Sequence, residues 1–89
     1  MCYHVYALSS SAYNKIYIGY TSNLEGRLKS HNELANKGFT IKYRPWTLIY
    51  SETFDSKAIA MKREKELKSF HGREFIRNII QEKFSSPVG

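Results

Sequence analysis

Two short runs rich in Val, Ile and Tyr near the start of the chain predict a β-hairpin. Residues 2–8 (CYHVYAL) and 15–20 (KIYIGY) favour strands, and the Ser- and Asn-containing stretch between them suits a loop longer than two residues. Alternation places Tyr6 on one face of the first strand and Val5 on the other. Because neither face of the hairpin is purely polar, we expect both faces to be covered.

The next polar-to-apolar transition predicts a helix over about 23–33. Ser22 and Glu25 have the spacing of a capping box, and Leu24, Leu28 and His31 then recur at helical intervals. A loop is expected over 34–45, ending at Pro45. Residues 46–52 (WTLIYSE) again favour a strand.

Two further helices are predicted towards the end of the chain. Ser56 suits the N-cap of a helix that runs to about residue 69, with an apolar stripe expected at Ile59, Ala60, Leu67 and Phe70. Gly72 separates it from a last helix, whose apolar stripe is Phe75, Ile76, Ile79 and Ile80. The order β-β-α-β-α-α predicts a small α/β (α+β) domain, with a three-stranded, mainly antiparallel sheet flanked by helices.

Length and composition limit the classes of protein to consider. With 89 residues, 42% of them apolar, we expect one folded domain over 1–84 and a frayed tail over 85–89. The single cysteine excludes an intrachain disulfide, and the three histidines and one cysteine lack zinc-site spacing. Without an apolar run of membrane length or a signal-peptide pattern, we expect a cytoplasmic protein with no membrane partner.

Charge points to a polyanionic partner. The formal net charge is +6, and residues 37–89 hold 11 basic against 6 acidic residues. Within the loop 37–46, the cations Lys37, Lys42 and Arg44 alternate with aromatic side chains, which suits a nucleic-acid backbone with bases alongside. The equally weighted alternative is that Phe39 and Trp46 pack in the core while the cations are solvated. The basic surface extends along the last helices through Lys62, Lys65, Lys68, Arg73 and Arg77.

Four residues are candidates for chemistry, each with an ordinary structural alternative. The hairpin can bring Tyr6 and Tyr17 onto one sheet face beside Gly19, although tyrosines in strands usually serve packing. Arg27 either covers the sheet with its stem or directs its guanidinium at an anion. Glu64 borders the apolar stripe of its helix, where pairing with Lys68 is the simpler expectation.

Taken in order, these residues resemble the GIY-YIG nuclease family, and most closely its small single-domain bacterial, excinuclease-C-like members. The resemblance covers roughly residues 3–80. It rests on His4-Val5-Tyr6, on Tyr17-Ile18-Gly19, on the stretch TSNLEGRL that contains Arg27, and on a late helix with EKELK beginning at Glu64. The first motif departs from the family by carrying HVY in place of GIY, which keeps the phenol.

The resemblance implies a DNA endonuclease that uses one Mg²⁺ or Mn²⁺ ion and no small-molecule cofactor. It implies catalytic roles for Tyr6, Tyr17, Arg27 and Glu64, with Glu64 holding the metal and Gly19 structural. Tyr20 and His31 are candidates to assist, and Asn78 lies near a late asparagine of some branches. The implied DNA contacts are Lys37, Lys42, Arg44, Lys68 and Arg73.

The substrate preference implied for such a domain is low-specificity or structure-selective nicking. Larger members of the family add separate DNA-recognition domains, for which residues 1–84 leave no room, so selectivity would come from the loop 37–46, DNA shape, a homodimer or a larger repair or recombination complex. Two rival hypotheses are a DNA-binding module without turnover and a basic module that binds other polyanions.

Overall fold

A three-stranded antiparallel sheet with helices on both faces organises the protein. The computed structural model describes residues 2–34 and 39–84. The elements in chain order are β1 (Tyr3–Ser10), β2 (Lys15–Thr21), α1 (Leu24–Lys29), a π-helical turn (Ser30–Leu34), α2 (Phe39–Lys42), β3 (Thr47–Phe54), α3 (Lys57–Lys68) and α4 (Phe70–Phe84). This is the small α+β domain that the sequence predicts. None of the helices in these two ranges is long and apolar enough to cross a membrane.

The strand order β2-β1-β3 places β1 at the centre of the sheet. The predicted hairpin is confirmed, and its register sets Tyr6 opposite Gly19 and Leu8 opposite Tyr17. On the other side, the pairing of β1 with β3 shifts between Ala7 and Leu8. Because β1 is flanked by strands and covered on both faces, its residues from Val5 onward are buried.

The alternation of β1 divides the core in two. Val5 and Ala7 face α3 and α4, in a cluster that also holds Ile18, Ile49, Ala60, Leu67 and Ile76. Tyr6 and Leu8 face the opposite side, where they pack with Trp46, Leu24 and Leu28. Trp46 is 3% exposed, so of the two alternatives for this aromatic residue the structure has the buried one. The predicted covering of both sheet faces is confirmed.

The first helix begins one residue later than the capping box predicts. Asn23 is the N-cap, and its side-chain oxygen accepts a hydrogen bond from the Gly26 N–H at 3.1 Å. Ser22 was the wrong choice because two adjacent residues were both suitable caps, and the Thr21 hydroxyl accepts from the Asn23 N–H and fixes the chain direction there. The helix then widens into the π-helical turn after Lys29.

Part of the predicted loop over 34–45 is helical. The short helix α2 lies within the predicted loop, and β3 begins just after Trp46 and extends two residues beyond the predicted end. Lys37 and the Asn36–Gly38 stretch that was expected to end the first helix lie outside the described residues, as does the predicted frayed tail over 85–89.

The start of α3 agrees with the prediction, whereas the start of α4 differs from it. Ser56 caps α3 as predicted, by accepting from the Ile59 N–H. Gly72, however, lies inside α4. A Cβ at this position would approach the Glu66 carbonyl oxygen to 2.3 Å and the Leu67 Cα to 2.4 Å, so only glycine fits here. The glycine therefore allows α4 to start at Phe70, directly against the end of α3.

The predicted apolar stripes of α3 and α4 are only partly correct. Ala60 and Leu67 are buried, whereas Ile59 is 54% and Phe70 73% exposed. The sharp corner at Ser69 turns Phe70 out of the α3 stripe. In α4, Ile76 is fully buried and Ile79 and Ile80 pack on the core, while Phe75 is 42% exposed and meets the edge of Tyr50.

Candidate active site

Two tyrosines from the hairpin meet on the sheet face covered by α1. The ring centroids of Tyr6 and Tyr17 lie 6.1 Å apart, and Tyr6 is almost fully buried. Gly19 makes this arrangement possible, because a Cβ at this position would lie 2.9 Å from the Tyr6 hydroxyl and 3.1 Å from the Tyr17 ring. The sequence prediction that the two phenols share a face beside Gly19 therefore agrees with the geometry.

His31 completes this group from the π-helical turn. Its Nε2 lies 2.9 Å from the Tyr6 hydroxyl oxygen, and its ring centroid lies 4.6 Å from that of Tyr17. Sequence spacing favoured a partly exposed neighbour at this position, but His31 is 5% exposed. The wide turn brings the imidazole under the sheet, and turns of this kind are frequent at functional sites.

The backbone around His31 is fixed by two long-range contacts that sequence reasoning missed. Arg44 donates from Nε to the His31 carbonyl at 2.6 Å and from Nη2 to the Ser30 carbonyl at 3.1 Å. Asn32 binds the backbone of Trp46 twice, donating to its carbonyl at 2.9 Å and accepting from its N–H at 2.6 Å. Arg44, expected among the DNA contacts, thus has a structural role in the described contacts.

Arg27 adds a positive charge at the mouth of the group. It projects from α1 as an exposed side chain, and its interactions with the Tyr6 and Tyr17 hydroxyls raise the pKa of Arg27. The guanidinium therefore lies close to both phenols. It is therefore available to bind an anion in front of them.

Burial decides the protonation states of the Tyr6–His31 pair. Desolvation raises the pKa of Tyr6 to about 12, outweighing the opposing hydrogen bond from Arg27. Desolvation also lowers the pKa of His31, assisted by the charges of Arg27 and Arg44. At neutral pH the pair is a phenol and an uncharged imidazole, and Tyr6 is the donor in the tautomer whose Nε2 carries no proton.

Glu64 lies apart from this group in the described contacts. It pairs with Lys68 at 3.4 Å, which is the simpler alternative that its helical spacing allowed, and its side chain is 20% exposed. Within residues 2–34 and 39–84, Glu64 forms no hydrogen bond or ion pair with Tyr6, Tyr17 or Arg27. Its partner Lys68 nevertheless lies near Tyr17, because both line a cavity of about 170 Å³ whose other lining residues are Ile16, Ile18 and Arg73.

The carboxylates offer little for a metal ion beyond Glu64. Among the described residues, no three His, Cys, Asp or Glu side chains cluster at a distance suited to one ion. A single carboxylate still fits Mg²⁺, which usually keeps several waters and takes substrate oxygens as further ligands. Lys68, which pairs with Glu64, is exposed, so a metal ion can replace its ammonium group at the carboxylate.

Of the remaining predicted site residues, Tyr20 and Asn78 lie away from the tyrosine pair, whereas Lys42 lies in a cluster beside it. Tyr20 packs on the opposite sheet face from Tyr17, against the α3–α4 core, and Asn78 is exposed on α4. Lys42 lies 5.8 Å from the centre of the Tyr43 ring, and Lys15, which sequence reasoning did not consider, lies 5.3 Å from it. Tyr43 in turn meets Trp46 edge-on, so this cationic and aromatic cluster borders the tyrosine group.

Comparison with known proteins identifies the family of this chain. A family model described as the GIY-YIG catalytic domain matches residues 2–78. The chain therefore belongs to the GIY-YIG family of nuclease domains.

Its similar relatives carry the family designation UPF0213. A UPF0213 protein of Staphylococcus haemolyticus is 41% identical over 66 residues, which cover 74% of this chain and 80% of the relative. One from Natronomonas pharaonis is 42% identical over 67 residues, covering 75% and 78%. The solution NMR structure of a UPF0213 protein from Bacillus halodurans is similar with a TM-score of 0.53 and 30% identity, covering 89% of this chain and 85% of that one.

Proposed function

We propose that this protein is a metal-dependent DNA endonuclease that nicks one strand at a time, with low sequence specificity or a preference for DNA structure. The observation that carries the proposal is the convergence of Tyr6, Tyr17, Arg27 and His31 on one sheet face, in a chain of the GIY-YIG family. Beside them, Lys68 and Arg73 line a basic cavity of suitable charge for a phosphate.

The proposed proton transfer runs along the Tyr6–His31 hydrogen bond. As a water molecule attacks the phosphorus, its proton passes to the Tyr6 oxygen, and the Tyr6 proton passes to His31 Nε2. Tyr6 thus acts as a base without first becoming a phenolate, which its raised pKa disfavours. The P–O bond to the leaving oxygen breaks, and that oxygen is protonated from solvent.

The developing negative charge requires cations at two places. Arg27 offers its fork of donors to the non-bridging oxygens, and its guanidinium stays charged throughout. Glu64 would hold one Mg²⁺ or Mn²⁺ ion, which supplies Lewis-acid stabilisation of a phosphate oxygen when bound. Lys68 would then leave Glu64 and become available to the DNA backbone.

Nicking of supercoiled plasmid DNA tests the proposal. In Mg²⁺, we expect Glu64→Gln and Arg27→Ala each to reduce the nicking rate by about 10²–10³-fold, the usual cost of removing one electrostatic contact to a transition state. The matched controls are Glu66→Gln, which lies on the other side of α3 from Glu64, and Lys29→Ala on α1. Both positions are exposed, and both variants should nick at the wild-type rate. Unchanged nicking in Glu64→Gln and Arg27→Ala would contradict the proposal.

A second set of substrates separates the endonuclease from a module that only binds DNA. Duplex, single-stranded, flapped and branched DNA are compared in Mg²⁺, Mn²⁺ and EDTA. Cleavage in either metal and none in EDTA supports the endonuclease. Salt-sensitive binding without cleavage in either metal supports the binding module, which the raised pKa of Tyr6 specifically favours.

A further inference from the structure

A second cavity of about 350 Å³ lies along α4, and no step of the proposed chemistry uses it. Its lining residues are Phe70, Arg73, Glu74 and Arg77, all from α4. Arg73 also lines the cavity beside Tyr17, so the two cavities share a wall. A ligand that fills the first cavity can therefore extend into the second.

Phe70 is exposed to an extent that packing does not explain. Its side chain is 73% exposed, and its ring contact is an edge-on approach to the neighbouring His71 at 5.6 Å. Single exposed apolar residues are common on proteins. What sets Phe70 apart is its place beside cations, because a flat aromatic face flanked by positive charge is the arrangement that binds unpaired bases.

Arg73 and Arg77 give this cavity its positive charge. They lie four residues apart on one face of α4, where like charges repel each other. Neither guanidinium forms an ion pair or hydrogen bond with another residue of the described ranges, and both side chains are exposed. Glu74 is the one carboxylate in the lining, so two positive charges face a single negative charge and an anionic ligand relieves the repulsion.

We infer that this surface, made of Phe70, Arg73 and Arg77, is a subsite for an unpaired nucleotide of the DNA strand that enters the active site. The Phe70 ring stacks on the exposed base, and the two guanidiniums hold the flanking phosphates. The inference rests on the proposed function and gives it a substrate class: DNA with unpaired bases, such as single strands and flaps. Paired bases in a duplex offer no free face for this stacking.

The test measures binding in EDTA, so that it does not depend on cleavage. Single-stranded and flapped oligonucleotides carry one unpaired 2-aminopurine, whose fluorescence is quenched when it stacks, and a blunt duplex of equal length serves as the reference. We expect Phe70→Leu to weaken binding of the single strand about 5- to 100-fold and to abolish the quenching, while duplex binding stays unchanged. Phe70→Trp keeps an aromatic face, so it should bind the single strand and quench 2-aminopurine as the wild type does.

A matched control and a folding check accompany these variants. Ile59→Ala removes another exposed apolar side chain, on α3, and should bind all three DNAs as the wild type does. Because Phe70 is exposed, Phe70→Leu should also keep the wild-type melting temperature. An equal loss of single-strand and duplex affinity in Phe70→Leu, or no loss at all, would overturn the inference.

Two outcomes separate the subsite from the nuclease. If Phe70→Leu binds single strands normally while Glu64→Gln abolishes nicking, the subsite is wrong and the endonuclease stands. If Phe70→Leu loses the quenching but the wild type cleaves no DNA in any divalent ion, the subsite stands and the endonuclease is wrong. Sedimentation of DNA-free protein adds one more check, since a dimer that dissociates in Phe70→Leu would assign the surface to a second copy of this chain and overturn the subsite.

Discussion

At the scale of single residues, Gly19 determines whether the two tyrosines can share their face. The atom nearest to a new Cβ is the Tyr6 hydroxyl oxygen, and because Tyr6 is buried its phenol cannot move away into solvent. Space at this position is therefore a requirement of the site, in addition to any requirement of the strand.

We expect Gly19→Ala to damage activity and stability together. The added methyl group would overpack the tyrosine pair, which usually costs about 1–3 kcal/mol of folding free energy. It would also displace the Tyr6 hydroxyl from His31 and lower the nicking rate at least tenfold. Chemical denaturation and plasmid nicking give the two readouts. Wild-type nicking by a folded Gly19→Ala protein would show that the placement of Tyr6 does not matter for the chemistry.

His31 gives the protein a predictable response to acid. Its folded-state pKa lies below the ordinary value of 6.5, so between these two values the unfolded chain binds the proton more readily than the folded one. Stability is therefore complete above about pH 6.5 and declines as the pH falls through the folded pKa, by up to about 1.4 kcal/mol for each unit of depression.

Urea unfolding between pH 8 and pH 5 measures this contribution. The wild type should lose stability below pH 6.5, and His31→Gln, which keeps a polar group near Tyr6, should show a flatter profile. Nicking should fall over the same interval in the wild type, because protonated His31 can no longer accept from Tyr6. Parallel profiles for the two proteins would show that His31 does not titrate as the structure implies.

At the scale of elements, α1 and the π-helical turn carry Arg27 and His31, so whatever fixes their ends also fixes the site. At the beginning of α1 the observed cap is Asn23, next to the residue that sequence rules favoured. At the far end, the paired hydrogen bonds between Asn32 and Trp46 attach the turn to the start of β3. The segment is held at both ends by side-chain amides.

The two adjacent cap candidates provide a direct comparison. Asn23→Ala removes the acceptor for the Gly26 N–H and should destabilise the protein by about 0.5–2 kcal/mol. Ser22→Ala should stay within about 0.5 kcal/mol of the wild type, as expected of an exposed residue without such a role. Thermal melting of the two variants decides between the caps. A larger loss of stability in Ser22→Ala than in Asn23→Ala would show that Ser22 is the N-cap.

What the sequence predicts well at this scale depends on local rules. Alternation in β1 and the Ser56 cap act over a few residues, and both are confirmed. The bonds from Arg44 to the π-helical turn join residues 13 and 14 positions apart, so no local pattern indicates them. The exposure of Phe70 likewise depends on the corner that Gly72 permits, which places the ring outside the helical stripe it seemed to continue by spacing.

At the scale of the whole molecule, the distribution of charge matters more than the formal net charge of +6. Arg63 is held by Glu52 and Glu66, and Arg44 by backbone carbonyls, so these cations are already engaged within the protein. Lys68 and Arg73 instead face the cavity beside Tyr17. The basic surface that matters for DNA is thus expected along the β2 edge and α4.

The salt dependence of DNA binding can test this localisation, with two double variants that lower the net charge equally. We expect the combination of Lys68→Gln and Arg73→Gln to reduce the slope of log K against log salt concentration by about 1.4 to 1.8, since each lost phosphate contact contributes about 0.7 on single strands and 0.9 on duplex DNA. Lys57→Gln with Lys62→Gln, on exposed positions of α3, should leave the slope almost unchanged. Equal reductions in both would mean that the protein attracts DNA through its overall charge, and unequal ones in the expected direction would locate the DNA path beside Tyr17.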